Sequence, residues 1–509
     1  MPLLSHSTRG LPDADSSGDS SSRTLEAFLP TRLADATLDP ASAPDGSPAS
    51  RSAGETRADE RAALAPPSLE ARLRWLDALG GILRRDHDAL CSTVHAELGK
   101  PAWETTLTEI LPLLASISWH RRHLRRLIGP RRLGGAPWWQ LGDRVRVLQA
   151  PVGRVLIIAT WNYPVQLAGI QIVQSIAAGN ETWVKPSERS PASQALLLDG
   201  VQEALAASGL PSGLLRVAPS TRAEGERLLR EVPFDHVLFT GSTAVGRRIA
   251  AVAAATLTPT TLELSGHDSA IVLADADPRL AAQSVWQAVT MNAGQTCMAP
   301  RRALVDRRVM PAFLDALAPL VAGGQPLRLI DETSAAQVER LAREAIAAGG
   351  RSLVGHLEAR QGMRLRPIAI AECPVETELF AGEHFGPALA ITPIDGLDDA
   401  LRLHERVGQA LATSVFTRDA RAVERRAADF GSSFVTINDV VRPTAHPAAS
   451  IAGRGPSGWG ASRGLAGLAA LTRPVTMTTR GLFTPPAETP SPALLAWIRR
   501  FAGLSSQRR

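Results

Sequence analysis

Lysine is nearly missing from this chain. Of 55 basic residues among 509, only Lys100 and Lys185 are lysines, so arginine carries almost all the positive charge. A residue type used so sparingly marks places where a compact ammonium on a flexible stem is wanted. Cysteine is scarce too: Cys91, Cys297 and Cys373 are odd in number, far apart and without C-x-x-C spacing. That pattern excludes a disulfide framework or a cysteine metal site and predicts a reducing, cytoplasmic setting. Tyr163 is the only tyrosine. No apolar run reaches the roughly 18 residues of a spanning helix, and Met1 to Gly10 lacks the pattern of a secretion signal. Nor does an aromatic-interleaved or zinc-finger pattern accompany the basic cluster His120 to Arg126. The net charge of +5 therefore reads as solvated helix faces, not as a nucleic-acid surface.

What is present is a long chain, 44% hydrophobic, with alternating strand and helix patterns. Residues 1–65 are rich in Ser, Asp, Ala, Gly and Pro without periodicity and are expected to be a disordered leader. From Ser68, a candidate N-cap, Leu69, Leu73, Leu76, Leu79, Ile82 and Leu83 recur at helical spacing, and similar periodicity runs from Leu107 to Ile128. Gly129 to Pro137 breaks the helix, and Trp138 to Gln149 reads as a hairpin-like excursion. Strands at Val155–Ala159, Thr182–Lys185, Leu214–Val217, His236–Thr240 and Thr260–Leu264, separated by single helices, predict a doubly wound parallel sheet. Its ligand crevice lies at the carboxyl ends of the strands.

The residues at those ends are Thr160-Trp161-Asn162-Tyr163-Pro164, Lys185-Pro186-Ser187-Glu188, Gly241-Ser242-Thr243-Ala244-Val245-Gly246 and Glu263-Leu264-Ser265-Gly266. Asn162 offers an amide donor or an ordinary turn, and Pro164 suits a first helical turn. Lys185 and Glu188 have the groups to bind ribose hydroxyls. The glycine turn lets a backbone approach a diphosphate near a helix start, yet it is neither G-x-G-x-x-G nor a P-loop. Glu263 is a general base or a solvent-facing strand end. Beyond the sheet, Asn292-Ala293-Gly294-Gln295-Thr296-Cys297 presents one thiol, structural or nucleophilic. Later come Glu383-His384-Phe385-Gly386-Pro387 and the glycine-rich loop Gly453 to Gly460.

In order and spacing these motifs resemble the NAD(P)-dependent aldehyde dehydrogenase superfamily over about residues 66 to 482. The run Glu97 to Pro101 with Glu104 and Glu109, the Asn-Tyr-Pro form and Ser457 to Ala461 look most like its class 3 branch. The resemblance implies an enzyme that oxidises an aldehyde to a carboxylic acid through a cysteine thioester hydrolysed by water. A coenzyme A-acylating enzyme and a non-catalytic homologue are the alternatives. It makes Cys297 the nucleophile, Glu263 the base and Asn162 the oxyanion donor. Lys185 and Glu188 become adenosine-ribose ligands, Gly241, Ser242, Val245 and Gly246 the turn beside the diphosphate, and Glu383 and Phe385 the nicotinamide-ribose contacts. Thr160, Trp161, Ser187 and Leu264 complete the cofactor contacts. It further implies NAD or NADP, NAD slightly favoured, an aldehyde substrate, no metal and a homodimer.

The expected fold is α/β, with a doubly wound parallel-sheet cofactor domain over 66–264, including a hairpin at 135–150 for oligomerisation. A second α/β catalytic domain spans 265–445, a small β oligomerisation element spans 446–482, and 483–509 is a tail. Two departures stand out. Ser265 and His267 replace the family's glycine and lysine, and Ser450-Ile451-Ala452-Gly453 replaces its Pro-Phe-Gly-Gly, which predicts an altered substrate mouth.

Overall fold

The structure, a computed structural model, describes residues 66–135, 142–481 and 491–501. The leader expected at 1–65, part of the hairpin excursion and parts of the tail lie outside the described residues. The first helix, Leu69–Arg85, starts where Ser68 accepts a hydrogen bond from the Ala71 N–H. Its apolar positions, among them Trp75, Leu76, Leu79 and Leu83, are buried, so tertiary packing adds to a good cap.

Two sheets dominate. The first has six strands in the spatial order Gly458–Trp459, Thr260–Leu264, His236–Gly241, Arg154–Ile158, Glu181–Lys185, Leu215–Val217. All neighbours are parallel except the two-residue Gly458–Trp459, which lies antiparallel along the edge. The sequence-first strand, Arg154–Ile158, is central, and the chain builds outward from it on both sides. This is the reversal of strand order at which a doubly wound sheet opens a crevice. The sequence reading placed these strands within one residue of their observed starts, because buried parallel strands appear as short continuous apolar runs. It read Gly453 to Gly460 as a loop; Gly458–Trp459 in fact joins the sheet, too short a strand to leave a periodic signal.

The second sheet has seven strands ordered Arg351–Ser352, Ile368–Ala371, Ala388–Ile394, Pro300–Asp306, Asp268–Val272, Ala412–Phe416, Phe434–Ile437. Only Arg351–Ser352 is antiparallel. Its central strand Pro300–Asp306 is buried at every residue. A third, antiparallel sheet joins Arg131–Arg132, Arg144–Pro151 and Thr472–Thr479, with Pro151 opposite Thr472 and Arg144 opposite Thr479. Pro164 does not open a helix as expected: it sits in a turn, and the helix is Gln166–Ala178. The cause is the Glu109 carboxylate, which accepts from the N–H groups of Val165 and Gln166 and so caps the helix two residues further on.

Candidate active site

Cys297 lies in the turn between the helix Pro278–Thr290 and the strand Pro300–Asp306. Just before it the backbone winds left-handed over three residues, Asn292 (φ 51°), Ala293 (φ 54°) and Gly294 (φ 73°). Left-handed non-glycine residues cost on the order of 1–3 kcal/mol each and persist only where their surroundings over-determine them. Here the surroundings do. The Asn292 N–H donates to Glu104 Oε1 at 2.6 Å, and its side-chain amide donates to the carbonyls of Asn162 (2.8 Å) and Gln295 (3.1 Å). Arg301, fully buried, donates to the carbonyls of Gly294 and Thr296, each at 2.8 Å, clasping the turn on both sides of Gln295. Gly294 is required as well, because a Cβ there would collide with the Gly386 backbone. Burial pushes the Cys297 thiol up to about 12, with the Glu263 and Asp268 carboxylates adding to the shift and Arg463 and Arg301 opposing it. The resting group is therefore a thiol.

Asn162 is held against this turn. Its side-chain oxygen accepts from the Thr160 hydroxyl at 3.0 Å, which leaves its NH2 to donate to the Gln295 carbonyl, also at 3.0 Å. Beneath it, Lys100 Nζ donates to the Asn162 carbonyl (3.1 Å) and to Glu109 Oε1 (2.5 Å), both side chains being fully buried, and lies 4.1 Å from the centre of the Tyr163 ring. Tyr163 in turn bonds the Thr296 hydroxyl at 2.5 Å. One of the two lysines and the single tyrosine thus form the floor under the Cys297 turn. In the sequence, their scarcity and their places in the Glu97–Pro101 run and the Asn-Tyr-Pro form were the signals of it.

Glu263 is the penultimate residue of its strand, paired with Thr240 on one side and Gly458 on the other. Its carboxylate accepts from the Thr240 hydroxyl (3.2 Å) and from the Ser462 hydroxyl. Gln171 donates to Thr240 Oγ1 at 3.1 Å and fixes that hydroxyl's role as donor toward Glu263. Glu263 is 7% exposed, so the expectation of a solvent-facing strand end does not describe it. The departures noted in the sequence sit close by. The Ser265 carbonyl accepts from Gln409 and Ser457, and the His267 imidazole, brought down to about 4 chiefly by burial, packs neutral beneath the strand end.

A cavity of about 1180 Å³ joins these groups. Cys297, Glu263, Asn162, Thr160, Trp161, Lys185, Ser187, Glu188, Gly241, Ser242, Val245, Leu264, Glu383 and Phe385 all line it. Gly246 does not. It faces Leu264, where an added Cβ would lie 2.5 Å from a methyl group, so that glycine serves helix-on-strand packing. At the far end Lys185 Nζ bonds Glu188 at 2.9 Å, and Arg222 and Arg248 add positive charge. Between that end and Cys297, the helix Thr243–Ala255 begins at Ser242, whose hydroxyl accepts from the Val245 N–H. A carboxylate for ribose hydroxyls, a helix start and cations for a diphosphate, all on one wall, suit a dinucleotide. Phe385 meets Trp161 edge to face at 5.8 Å and lies under the Arg301 guanidinium at 5.3 Å, which ties this wall to the Cys297 turn.

Arg463 was not singled out from the sequence, where one arginine among many carries no signal. It lines the same cavity, 8% exposed, with φ 60° and ψ 168°, a backbone region that usually belongs to glycine. Gln174 Oε1 accepts its N–H at 3.1 Å and keeps it there.

Comparison with known proteins agrees with this geometry. The profile of the Aldehyde dehydrogenase family matches residues 36–477, beginning earlier than the residue 66 expected from the motifs. The chain is 32% identical to a probable coniferyl aldehyde dehydrogenase of Pseudomonas aeruginosa, over 84% of this chain and 90% of that protein. Among solved structures, an aldehyde dehydrogenase of Staphylococcus aureus in a substrate-bound state superposes with a TM-score of 0.78 at 24% identity, covering 88% and 99% of the two chains. Another, a Mycobacterium tuberculosis aldehyde dehydrogenase complexed with NAD+, gives 0.75 at 26% identity, covering 84% and 90%. The chain belongs to the aldehyde dehydrogenase family. It is an oxidoreductase that converts aldehydes to carboxylic acids, on a fold whose family uses NAD(P).

Proposed function

We propose that Cys297 is the nucleophile, Glu263 the general base and Asn162 an oxyanion donor, and that NAD is preferred over NADP. The observation that carries this reading is the placement of a thiol and a carboxylate on one cavity that continues to the Lys185–Glu188 pair. The Cys297 thiol first gives up its proton to solvent in the cavity; the thiolate then attacks the aldehyde carbon, and the oxygen takes up negative charge. The Asn162 NH2 has two N–H donors and spends one on Gln295, leaving the second for that oxygen. One such donor is worth about 3–4 kcal/mol in comparable sites. The nicotinamide cofactor, when bound, supplies the hydride acceptor. Glu263, oriented by the hydroxyls of Thr240 and Ser462, then takes a proton from the water that resolves the thioester. A base placed there favours water over coenzyme A as the acceptor.

Glu188 supports the NAD preference, since its carboxylate repels a 2′-phosphate while Lys185 opposes it. Replacing Glu188 by Gln should raise the ratio of kcat/KM for NADP over NAD; an unchanged ratio would remove Glu188 from the ribose. The three cysteines are free, which supports a reducing, cytoplasmic setting. No helix among the described residues is long and apolar enough to cross a membrane. Homodimerisation is supported by the strand Thr472–Thr479, which pairs on one side only among the described residues and leaves Met477 44% exposed. Assays of the purified protein with NAD and NADP on aliphatic and aromatic aldehydes, with and without coenzyme A, test the reading. Acid formation that ignores coenzyme A supports it, and acyl-coenzyme A as the product contradicts it.

A further inference from the structure

Three arginines are buried around the nucleophile, and they are used differently. Arg301 donates to the carbonyls of Gly294, Thr296 and Gly386, and Arg302 to Ser269, Phe380 and His267. Their charge is absorbed by backbone and hydroxyl oxygens. The Arg463 guanidinium makes one hydrogen bond, Nη1 to the Thr444 carbonyl at 2.9 Å, and no carboxylate among the described residues comes within ion-pair distance of it. More than nine-tenths buried, it faces the cavity that Cys297 and Glu263 also line. Its donors are not sealed in protein either, for none of its atoms is among the fully buried polar atoms left without a partner. A cation held out of bulk water with most of its fork unspent is a site for an oxyanion.

Beside Cys297 the cavity lining includes the apolar Leu411, Val441 and Ile451, which pack in one cluster with it, and also the Asp439–Arg442 ion pair. Ile451 stands beside Arg463's own turn, since it pairs with Ser462. The backbone of Arg463 is fixed by three hydrogen bonds. Its N–H donates to Gln174, and its carbonyl accepts from the Ser450 hydroxyl (3.1 Å) and the Gly467 N–H (2.9 Å). Such anchoring gives the guanidinium a set position at the wall.

We propose that Arg463 anchors an anionic group of the substrate, so that this site prefers aldehydes carrying a carboxylate or sulfonate on an otherwise apolar frame. The inference rests on the assignment of Cys297 as the nucleophile at the same cavity. Glu263, held by the neighbouring Ser462, is the carboxylate whose charge acts on Arg463, so a bound anion shares that cation with it. The alternative occupant is the reaction's own negative charge at Cys297. In that case Arg463 would act on every aldehyde alike.

The test compares matched pairs: benzaldehyde against its ring-carboxylated and ring-sulfonated forms, and a linear aldehyde against the oxo acid of the same chain length. The native enzyme should show higher kcat/KM for the anionic member of at least one pair, by on the order of tenfold or more, the worth of a charge-assisted hydrogen bond. In Arg463→Met the loss on the anionic member should exceed the loss on its neutral partner by a similar factor, and Arg463→Lys should keep part of the preference. Equal kcat/KM within every native pair, or equal losses on both members in Arg463→Met, would overturn the proposal while leaving aldehyde oxidation intact. Calorimetric titration of Cys297→Ala protein with the ring dicarboxylate and with benzoate gives a readout independent of turnover. Tighter binding of the dicarboxylate that disappears with Arg463→Met supports the anchor, and identical affinities contradict it.

Discussion

A thiol and a carboxylate share one cavity wall, and the charge of Glu263 works against ionisation of Cys297. Removing that charge in Glu263→Gln should lower the thiol's pKa and raise the thiolate fraction, about tenfold for each pKa unit. Iodoacetamide should therefore alkylate Cys297 faster in Glu263→Gln near neutral pH; slower alkylation would show that Glu263 takes the thiol proton in the resting enzyme. Asp268 gives a second test. Burial raises its carboxyl from 3.8 to about 7 and outweighs the backbone N–H groups of Ala412 and Leu411, the latter donating to Oδ1 at 2.8 Å, and the charges of Arg301 and Arg302. An acid with a raised folded pKa stabilises fully below its unfolded pKa and loses that contribution as pH rises through the folded value. The Tm of Asp268→Asn should thus gain on the native Tm between about pH 4 and 7 and hold steady above. A difference that does not change across that window would contradict the burial argument. Cys297, Glu263 and Asn162 could be singled out in the sequence because each stands in a short motif and the motifs follow in a set order; that they line one cavity is what the structure adds. Arg463 and Arg301 could not be, since what sets them apart is burial and partner choice, which one-dimensional spacing does not encode.

Elements explain why the turn before Cys297 can hold three left-handed residues in a row. The segment from Lys100 through the π-helical turn Thr106–Ile110 brings Glu104 and Glu109 under it, one carboxylate to the Asn292 N–H and the other to Lys100 and the start of the helix Gln166–Ala178. Removing one partner of a buried ion pair leaves the other charge uncompensated, at about 3–5 kcal/mol. Lys100→Met should lower stability to denaturant by that order and loosen the Asn162 segment, with kcat falling as well. Native stability in Lys100→Met would contradict the buried ion-pair argument. The helix periodicity around these residues was readable, but their purpose was not: a buried lysine and a surface lysine have the same neighbours in sequence. The strands of both sheets were legible for the opposite reason, that continuous apolar runs bounded by helices have few other fates.

For the whole molecule, the cavity at the carboxyl ends of the first sheet is also lined by turns and loops that connect the strands of the second, Cys297, Phe385 and Leu411 among them, so the chemistry depends on both. The one-sided strand Thr472–Thr479 should be where two copies join. Light scattering should give twice the 54.0 kDa chain mass, and a proline in that strand should return the protein to a monomer. A native monomer would refute this. The central claim, that Cys297 carries an acyl group which Glu263 releases, is tested most directly by rapid mixing of Glu263→Gln with NAD and a good aldehyde substrate. The account predicts a burst of NADH near one equivalent per site followed by steady turnover about 10²–10⁴-fold below native, and no burst from Cys297→Ala. Near-native steady turnover by Glu263→Gln, or a burst that survives in Cys297→Ala, would contradict it.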